Sequence, residues 1–165
     1  MPILDAHTLE FFSRSPEQTR RVGMRLGGLL RSGDVVCLQG ELGAGKTTLV
    51  QGLAQGWGSP DPVSSPTFVL VNVYRRPDAD QLFHLDAYRI DSPAEAEELD
   101  LDEMLAQGAL VIEWPEKMES VLPTDRLWIL MDFVAEEHRQ LLLKASGDRY
   151  DAILAEMRQH LFGGD

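Results

Sequence analysis

The sequence predicts an α/β fold with a mixed, mainly parallel central sheet and additional antiparallel strands. An apolar segment at residues 34–39 is followed by a glycine-rich stretch and then by an amphipathic segment, which is the order strand, loop, helix. Two strand-like segments, residues 67–74 and 82–88, are joined by a short turn. They must pair antiparallel, because a parallel return needs a crossover of about a dozen residues. An apolar run at residues 109–113 supplies a further central strand.

The first third of the chain is predicted to alternate between strand and helix. Residues 5–12 form an opening strand, and Ser15-Pro16-Glu17-Gln18 has the pattern of a capping box with proline at the first helical position. This helix is predicted to end at Ser32-Gly33-Asp34. Two helices are expected, with apolar residues on one face of each: Val22, Leu26 and Leu29 in the first, and Leu49, Leu53 and Trp57 in the second.

The remaining elements follow from turn and capping signals. Ser92-Pro93-Ala94-Glu95 is a second capping box and predicts an acidic helical region through Leu105, closed by Gly108. Residues 126–133 and 138–146 are expected to form a terminal hairpin, and residues 148–162 a closing amphipathic helix. No repeat, linker or low-complexity tract interrupts the chain, so residues 1–165 are expected to form a single domain.

The most informative segment matches GxxxxGK[ST] without a mismatch. It comprises Gly40, Glu41, Leu42, Gly43, Ala44, Gly45, Lys46 and Thr47. Glycines allow successive backbone N–H groups to turn inward around an anion, the lysine reaches the β and γ phosphates, and the threonine hydroxyl is placed to ligate Mg²⁺. A glycine-rich turn with an exposed lysine is the alternative, but the strand before the loop and the helix after it favour phosphate binding. The fold class is therefore α/β, a three-layer P-loop NTPase-like fold.

A nucleoside triphosphate site also needs a carboxylate at the end of a neighbouring strand. Glu113 ends the apolar run, and Asp86 lies in Leu82-Phe-His-Leu-Asp86, where alternation places it on the same face as His84. We assign Glu113 to the metal shell, and Asp86 beside it to a metal-bound or attacking water. The alternative for Asp86 is a solvated edge-strand carboxylate paired with Arg89.

Other residues near the motif are weaker candidates. Thr67 follows Ser64-Ser65-Pro66 at the place where nucleotide switches set a hydroxyl that senses the γ phosphate, although a turn residue is the simpler interpretation. His84 is a possible proton shuttle, but a histidine simply hydrogen-bonded in its strand is commoner. No Asn-Lys-x-Asp occurs, so guanine selectivity of the usual GTPase kind has no basis and ATP is the default.

Composition restricts the partners. The chain has 27 Asp and Glu against 15 Lys and Arg, a net charge of −12, and shows no basic face for direct RNA binding. If the protein works on RNA, a partner is expected to hold that RNA. The single cysteine, Cys37, excludes an internal disulfide, and neither a signal peptide nor a membrane span is apparent. A soluble cytoplasmic protein is expected.

Four ordered motifs resemble the TsaE (YjeE) family of bacterial P-loop ATPases. They are Gly40-Glu-Leu-Gly-Ala-Gly-Lys-Thr-Thr48, Ser65-Pro-Thr-Phe68, His84-Leu-Asp-Ala-Tyr-Arg89 and Ile112-Glu-Trp-Pro115. The resemblance implies an ATPase that joins the TsaD and TsaB proteins and supports N6-threonylcarbamoyladenosine modification of tRNA at position 37. It implies that Mg-ATP is surrounded by Lys46, Thr47, Thr48, Thr67, Asp86 and Glu113, with Thr19 also near the nucleotide.

Two other functions fit the residues. A small P-loop kinase for a metabolite or nucleoside would have a similar size and fold, but it needs a lid with arginines, and no arginine follows Glu113 until Arg126. A binding module whose nucleotide-bound state matters, and whose turnover does not, is the second alternative.

Overall fold

The computed structural model describes residues 5–41, 43–63, 71–78 and 80–162. The described strands are β1 (Thr8–Ser13), β2 (Val35–Gln39), β3 (Val71–Arg75), β4 (Gln81–Asp86), β5 (Gly108–Glu113), β6 (Arg126–Ala135) and β7 (His138–Ser146). The described helices are α1 (Pro16–Leu29), α2 (Lys46–Trp57), α3 (Pro93–Glu97), α4 (Leu101–Gln107) and α5 (Asp148–Phe162), and a 3₁₀ helix spans Pro115–Val121.

The strands form one sheet in the order β1-β7-β6-β2-β5-β4-β3. β2 pairs in parallel with β5 on one side and with β6 on the other, and β4 is parallel to β5. The outer pairings, β1 with β7, β7 with β6, and β3 with β4, are antiparallel. The predicted mixed sheet with a parallel centre is therefore confirmed, and the loop that follows β2 leaves from the middle of the sheet.

Helices cover both faces of the sheet and produce three layers. One core lies under α1, α2 and α5 and includes Val36, Leu38, Leu49 and Leu53. The other lies under α3, α4 and the 3₁₀ helix and includes Cys37 and Ile112. Alternate residues of β2 thus enter different cores, as expected for a strand buried on both faces. Within the described part of the chain, no helix is both long and apolar enough to cross a bilayer.

Helices α1 and α2 approach each other through glycines. A Cβ atom added to Gly27 would lie 2.0 Å from the carbonyl oxygen of Leu53, and one added to Gly52 would lie 2.0 Å from that of Arg20. Real Cβ atoms essentially never come within 3.0 Å of such an atom, so only glycine allows this separation of the two helices. Because α2 begins at Lys46, this contact fixes the position of the phosphate loop relative to α1.

The start of β2 is held by α5. Arg149 bonds both carboxylate oxygens of the buried Asp34, at 3.1 and 2.8 Å, and its Nη2 also donates to the carbonyl oxygen of Leu29 at 2.7 Å. The backbone N–H of Val35 donates to the Tyr150 hydroxyl at 2.8 Å. Buried polar groups at the entry to β2 are thereby satisfied, and the strand before the loop is anchored at its first residue.

The structure corrects two details of the expected elements and leaves a third untested. The opening strand begins at Thr8 and not at Asp5. The acidic helical region is two helices, because Asp100 takes the left-handed conformation (φ 53°) and its side chain caps α4 by accepting from the N–H of Glu103. The predicted strand from Thr67 is described only from Val71, since residues 64–70 lie outside the described residues.

Candidate functional site

The glycine-rich loop runs directly from the end of β2 into the first turn of α2. Gly43 and Gly45 have positive φ angles of 83° and 98°, which residues other than glycine rarely adopt. Position 40 requires a glycine because a Cβ atom there would lie only 2.7 Å from the carbonyl oxygen of Met131 in β6. Ala44 is buried, and its N–H bonds the carbonyl oxygen of Glu41 at 3.0 Å. The sequence therefore folds this segment into a compact turn against β6.

The N-terminus of α2 has no side-chain cap. Its N-cap residue is Gly45, which offers no side chain to accept from the first N–H groups of the helix. Uncapped N–H groups and the positive end of the helix dipole together favour an anion at this position. Lys46 and Thr47 occupy the first two helical positions, so the motif residues lie on the same turn.

Lys46 carries a buried ammonium group. The residue is only 6% exposed, and Nζ has no hydrogen-bond acceptor among the described residues. Nζ lies 3.8 Å from Oε1 of Glu113 and 4.2 Å from the centroid of the Trp114 ring. A buried charge normally has hydrogen-bond partners, because desolvation is costly without them. This ammonium group is therefore suited to an additional anionic ligand.

Glu113 lies at the end of β5, between the ends of β2 and β4. It is 5% exposed, and its position in the register is opposite Leu38 on one side and Asp86 on the other. Oε2 lies 2.5 Å from Nε2 of the fully buried His84, whose Nδ1 lies 2.8 Å from the Tyr74 hydroxyl. With Nε2 protonated, His84 donates to Glu113 and accepts from Tyr74. One oxygen of Glu113 is thus held by His84, while the other is directed to Lys46.

Asp86 ends β4 beside Glu113 and is half-buried. One oxygen accepts the N–H of Tyr88 at 2.9 Å. Burial raises the pKa of Asp86, the hydrogen bond from Tyr88 opposes this rise, and the neighbouring Glu113 carboxylate adds to it. β4 is an inner strand covered by β3, and none of the ion pairs found among the described residues joins Asp86 to Arg89. The alternative interpretation, a solvated carboxylate on an edge strand paired with Arg89, is therefore not favoured by the structure.

Trp114 turns the chain away immediately after Glu113. It has the left-handed backbone conformation, with φ 59° and ψ 48°, and is followed by Pro115 at the start of the 3₁₀ helix. The indole packs 5.1 Å from the ring of Tyr88, measured between centroids. Together these contacts place the aromatic ring over the Lys46 ammonium and shield it from water.

The three threonines predicted near a nucleotide are close to the loop in the structure. Thr47 and Thr48 are half-buried on the first turn of α2. Thr19 of α1 is 2% exposed, its hydroxyl lies 2.6 Å from that of Ser13, and it lines a cleft together with Gly45 and Thr48. Leu42 and Thr67, both predicted site residues, lie outside the described residues.

Sequence reasoning undervalued three side chains at this site. The sequence favours a simple strand histidine at position 84 and indicates no role for Trp114, but the two side chains contact Glu113 and Lys46 respectively. The alternation that aligned His84 with Asp86 was the available signal for the first. The third is Arg139, whose side chain lies 3.8 Å from the position of a Cβ added to Gly45 and which no sequence motif indicates. Its strand is distant in sequence, and only the pairing of β7 with β6 brings it to the loop.

The residues fit a magnesium-bound polyphosphate. A buried ammonium that finds no hydrogen-bond acceptor within the described part of the chain, and an uncapped helix N-terminus, are suited to phosphate oxygens. Two adjacent strand-end carboxylates and a threonine hydroxyl supply the oxygen ligands that Mg²⁺ prefers. The fold and the loop thus define a P-loop protein with a site at the carboxyl ends of its central parallel strands.

Comparison with known proteins identifies the family. The family model for threonylcarbamoyl adenosine biosynthesis protein TsaE matches residues 13–141. The tRNA threonylcarbamoyladenosine biosynthesis protein TsaE of Bacillus subtilis is 35% identical over 153 residues, covering 92% of this chain and 95% of the relative. The Streptomyces coelicolor protein of the same name is 44% identical over 137 residues, covering 79% and 93%. The chain therefore belongs to the TsaE family.

The fold agrees with a solved structure. The crystal structure of Bacillus subtilis YdiB superimposes with a TM-score of 0.79 at 30% sequence identity, and the match covers 93% of this chain and 95% of that one. The P-loop type of three-layer fold predicted from the sequence is confirmed by this similarity.

Proposed function

We propose that this chain is an ATPase that binds Mg-ATP at residues 40–48 and hydrolyses it to support threonylcarbamoyladenosine modification of tRNA. The observation that carries the proposal is the Lys46 ammonium, which is buried at the start of an uncapped helix and has no acceptor among the residues that the structure describes. Membership of the TsaE family supports the pathway, since the relatives are named for tRNA threonylcarbamoyladenosine biosynthesis. Residues 1–165 act as one domain in this proposal.

Each site residue has a distinct task. Lys46 pairs with the β and γ phosphates, and the N–H groups of the loop surround them. Thr47, Glu113 and Asp86 hold Mg²⁺ directly or through its water molecules, and bound Mg²⁺ would neutralise charge that develops on the phosphates. Burial raises the pKa of Asp86, which favours this carboxylate as a proton acceptor for an attacking water. Thr67 is proposed to sense the γ phosphate, as its position after Ser64-Ser65-Pro66 predicts.

His84 acts through Glu113. Because His84 holds one carboxylate oxygen at 2.5 Å and is itself bonded to Tyr74, the other oxygen remains directed toward Lys46 and would be free to hold Mg²⁺ or one of its water molecules. Outer partners of this kind orient metal ligands and tune their basicity. We therefore treat His84 as a positioning residue.

The proposed partners are TsaD and TsaB, and tRNA is contacted mainly through them. The net charge of −12 supports this arrangement, since a protein that itself neutralises many RNA phosphates needs a basic surface. ATP is the proposed nucleotide because the sequence contains no Asn-Lys-x-Asp segment to read guanine. A cytoplasmic location follows from the tRNA substrate.

Calorimetry with Mg-ATP tests the loop. Lys46→Met removes the ammonium and keeps an aliphatic side chain, and we expect ATP affinity to fall by at least ~100-fold, the loss typical of truncating one member of a buried charge pair. Lys144→Ala removes an exposed lysine of β7 and serves as the matched control, with unchanged affinity. A Lys46→Met variant that is folded and binds ATP normally would contradict the assignment.

Phosphate release distinguishes the ATPase from its alternatives. We expect slow release by the isolated chain and steady release once TsaD and TsaB are added. Glu113→Ala and Asp86→Ala should each lower that release while retaining part of the nucleotide binding. Transfer of labelled phosphate to a small acceptor by the chain alone would indicate a kinase. Tight ATP binding without release in the assembly would indicate a nucleotide-dependent binding module.

A further inference from the structure

Tyr74 joins the outermost strand, β3, to the hydrogen bonds that hold Glu113. β3 is an edge strand, yet Tyr74 is buried, and its hydroxyl lies 2.8 Å from Nδ1 of His84. In the antiparallel register Tyr74 is opposite Leu82, two residues before His84 on β4. The two side chains are therefore diagonal neighbours on one face of the sheet, with ring centroids 5.7 Å apart. Tyr74 thus contacts the histidine through both its ring and its hydroxyl.

Buried side chains from three adjacent strands follow one another toward the phosphate loop. Tyr74 of β3 bonds His84 of β4, and Nε2 of His84 lies 2.5 Å from Oε2 of Glu113 in β5. The other oxygen of Glu113, Oε1, lies 3.8 Å from Nζ of Lys46. None of these four residues is more than 6% exposed. A change at Tyr74 therefore reaches the loop lysine through contacts that bulk water does not replace.

The two ring nitrogens of His84 have different tasks. A carboxylate only accepts hydrogen bonds, so Nε2 must carry the hydrogen that is donated to Glu113. In a neutral imidazole Nδ1 then has a lone pair and needs a donor, which the hydroxyl of Tyr74 supplies. A flipped ring would place carbon atoms where the nitrogens lie and would lose both hydrogen bonds. The Tyr74 hydroxyl thus favours one orientation and one tautomer of His84.

We propose that Tyr74 is a positioning residue for ATP hydrolysis: by donating to Nδ1, it keeps the Nε2–H of His84 directed at Glu113. Without the hydroxyl, the fully buried Nδ1 lacks this donor, and the ring can rotate to reach another one. Oε2 of Glu113 then loses its fixed partner, and Oε1 is no longer held toward Lys46. This role rests on the proposed function, because it takes Glu113 to hold Mg²⁺ or one of its water molecules.

Tyr74→Phe keeps the ring and removes only the hydroxyl. In phosphate release stimulated by TsaD and TsaB, we expect kcat to fall by about 10-fold, the lower end of the range for outer partners of metal ligands, and the KM for ATP to stay within about twofold. In the His84→Leu background, Tyr74→Phe should not lower kcat further, because a residue that acts through His84 has nothing left to position. A purely structural effect of Tyr74 would lower kcat in both backgrounds.

Tyr150→Phe is the matched control. It removes another buried tyrosine hydroxyl, which accepts the N–H of Val35 at 2.8 Å at the start of β2, away from the loop. We expect both phenylalanine variants to be less stable in urea, and only Tyr74→Phe to lose kcat when both are assayed folded. Equal losses of kcat would indicate general destabilisation and would overturn the positioning role.

Nitrogen-15 NMR of the imidazole tests the same role without nucleotide or partners. The signals of His84 are those absent from the spectrum of His84→Gln. In the unmodified chain we expect the hydrogen on Nε2, a lone pair on Nδ1, and slow exchange of the Nε2–H with water because His84 is fully buried. In Tyr74→Phe the Nε2–H signal should shift and exchange about 10-fold faster, whereas Tyr150→Phe should leave it unchanged.

Several outcomes would overturn the role of Tyr74. They are a normal kcat in Tyr74→Phe, a further loss in the His84→Leu background, or an unchanged Nε2–H signal. A hydrogen on Nδ1 of His84 in the unmodified chain would overturn it without any variant. If the unmodified chain releases no phosphate together with TsaD and TsaB, the proposed function itself is wrong, and the NMR comparison still reports whether Tyr74 orients His84.

Discussion

The glycine contact between α1 and α2 predicts opposite effects for two adjacent substitutions. Gly27→Ala would place a Cβ atom 2.0 Å from the carbonyl oxygen of Leu53, so the helices must separate by about 1 Å or distort. Gly28→Ala would place its Cβ 3.9 Å from the carbonyl oxygen of Gly56, which is an ordinary contact. Both substitutions add the same methyl group to the same helix, and only the distance to the neighbouring backbone differs.

The expected free energies follow from this difference. Overpacking costs about 1–3 kcal/mol, and the upper end applies at Gly27 because the clash is with the backbone of a packed helix. Alanine returns about 1 kcal/mol in helix propensity. Gly27→Ala should therefore lower the free energy of unfolding by about 2 kcal/mol and the Tm by about 4–8 °C. Gly28→Ala receives only the propensity gain and should stabilise the protein by about 0.5–1 kcal/mol.

Cys37 provides an internal probe for this experiment, alongside urea unfolding. It is the only cysteine and is fully buried in β2, and burial raises the pKa of its thiol to about 12. The thiol should react with an alkylating reagent only in molecules that have opened, so the labelling rate reports stability. We expect faster labelling of Gly27→Ala and slower labelling of Gly28→Ala. If both variants shift stability in the same direction by the same amount, the close approach of the helices is wrong.

Two further predictions concern His84 and Tyr150. His84→Leu should lower the kcat of partner-stimulated ATP hydrolysis by about 10-fold with little change in KM, and His84→Gln, which retains a donor, should recover part of it; initial rates that show no such separation would argue against a positioning role. Tyr150→Phe removes the acceptor of the Val35 N–H and should cost about 1–3 kcal/mol in urea unfolding. Burial raises the pKa of Tyr150 from 10.0 to about 12, so the stability linked to its proton is present below pH 10 and is lost as the pH rises toward 12. The phenylalanine variant should lack this part of the alkaline loss, and a variant with an unchanged pH dependence would contradict it.

Local signals in the sequence were sufficient for most of the fold. The predicted N-cap at Ser15 is present, with its hydroxyl accepting the N–H of Gln18, whereas the glutamine oxygen accepts the N–H of Arg14 and not that of Ser15 as in a standard capping box. The two hairpins were predictable because short connections permit only antiparallel pairing. The break between α3 and α4 at Asp100 was not predictable. The sequence does not distinguish an aspartate in the left-handed conformation from one within an acidic helix.

The features of the site also divide into those that the sequence predicts and those that it does not. The phosphate loop is a contiguous motif, so it could be recognised without tertiary information. Glu113 and Asp86 were found because parallel strands bring their carboxyl ends together, and the register does place them side by side. Their roles at a metal stay predictions. The fixing of Glu113 by His84, the indole over Lys46 and the arginine beside Gly45 depend on side-chain directions and on pairings between distant strands. A linear pattern does not carry that information.

The position of β2 in the sheet has a consequence for the order of folding. Cys37 pairs with Ile112 on one side and with Trp128 on the other, so the strand that leads into the phosphate loop obtains both neighbours from much later in the chain. Contacts this distant in sequence close slowly. In a chain still emerging from the ribosome, β2 lacks its second neighbour until residue 128 has been added. During that interval the apolar residues of β2 remain exposed and can bind chaperones or aggregate.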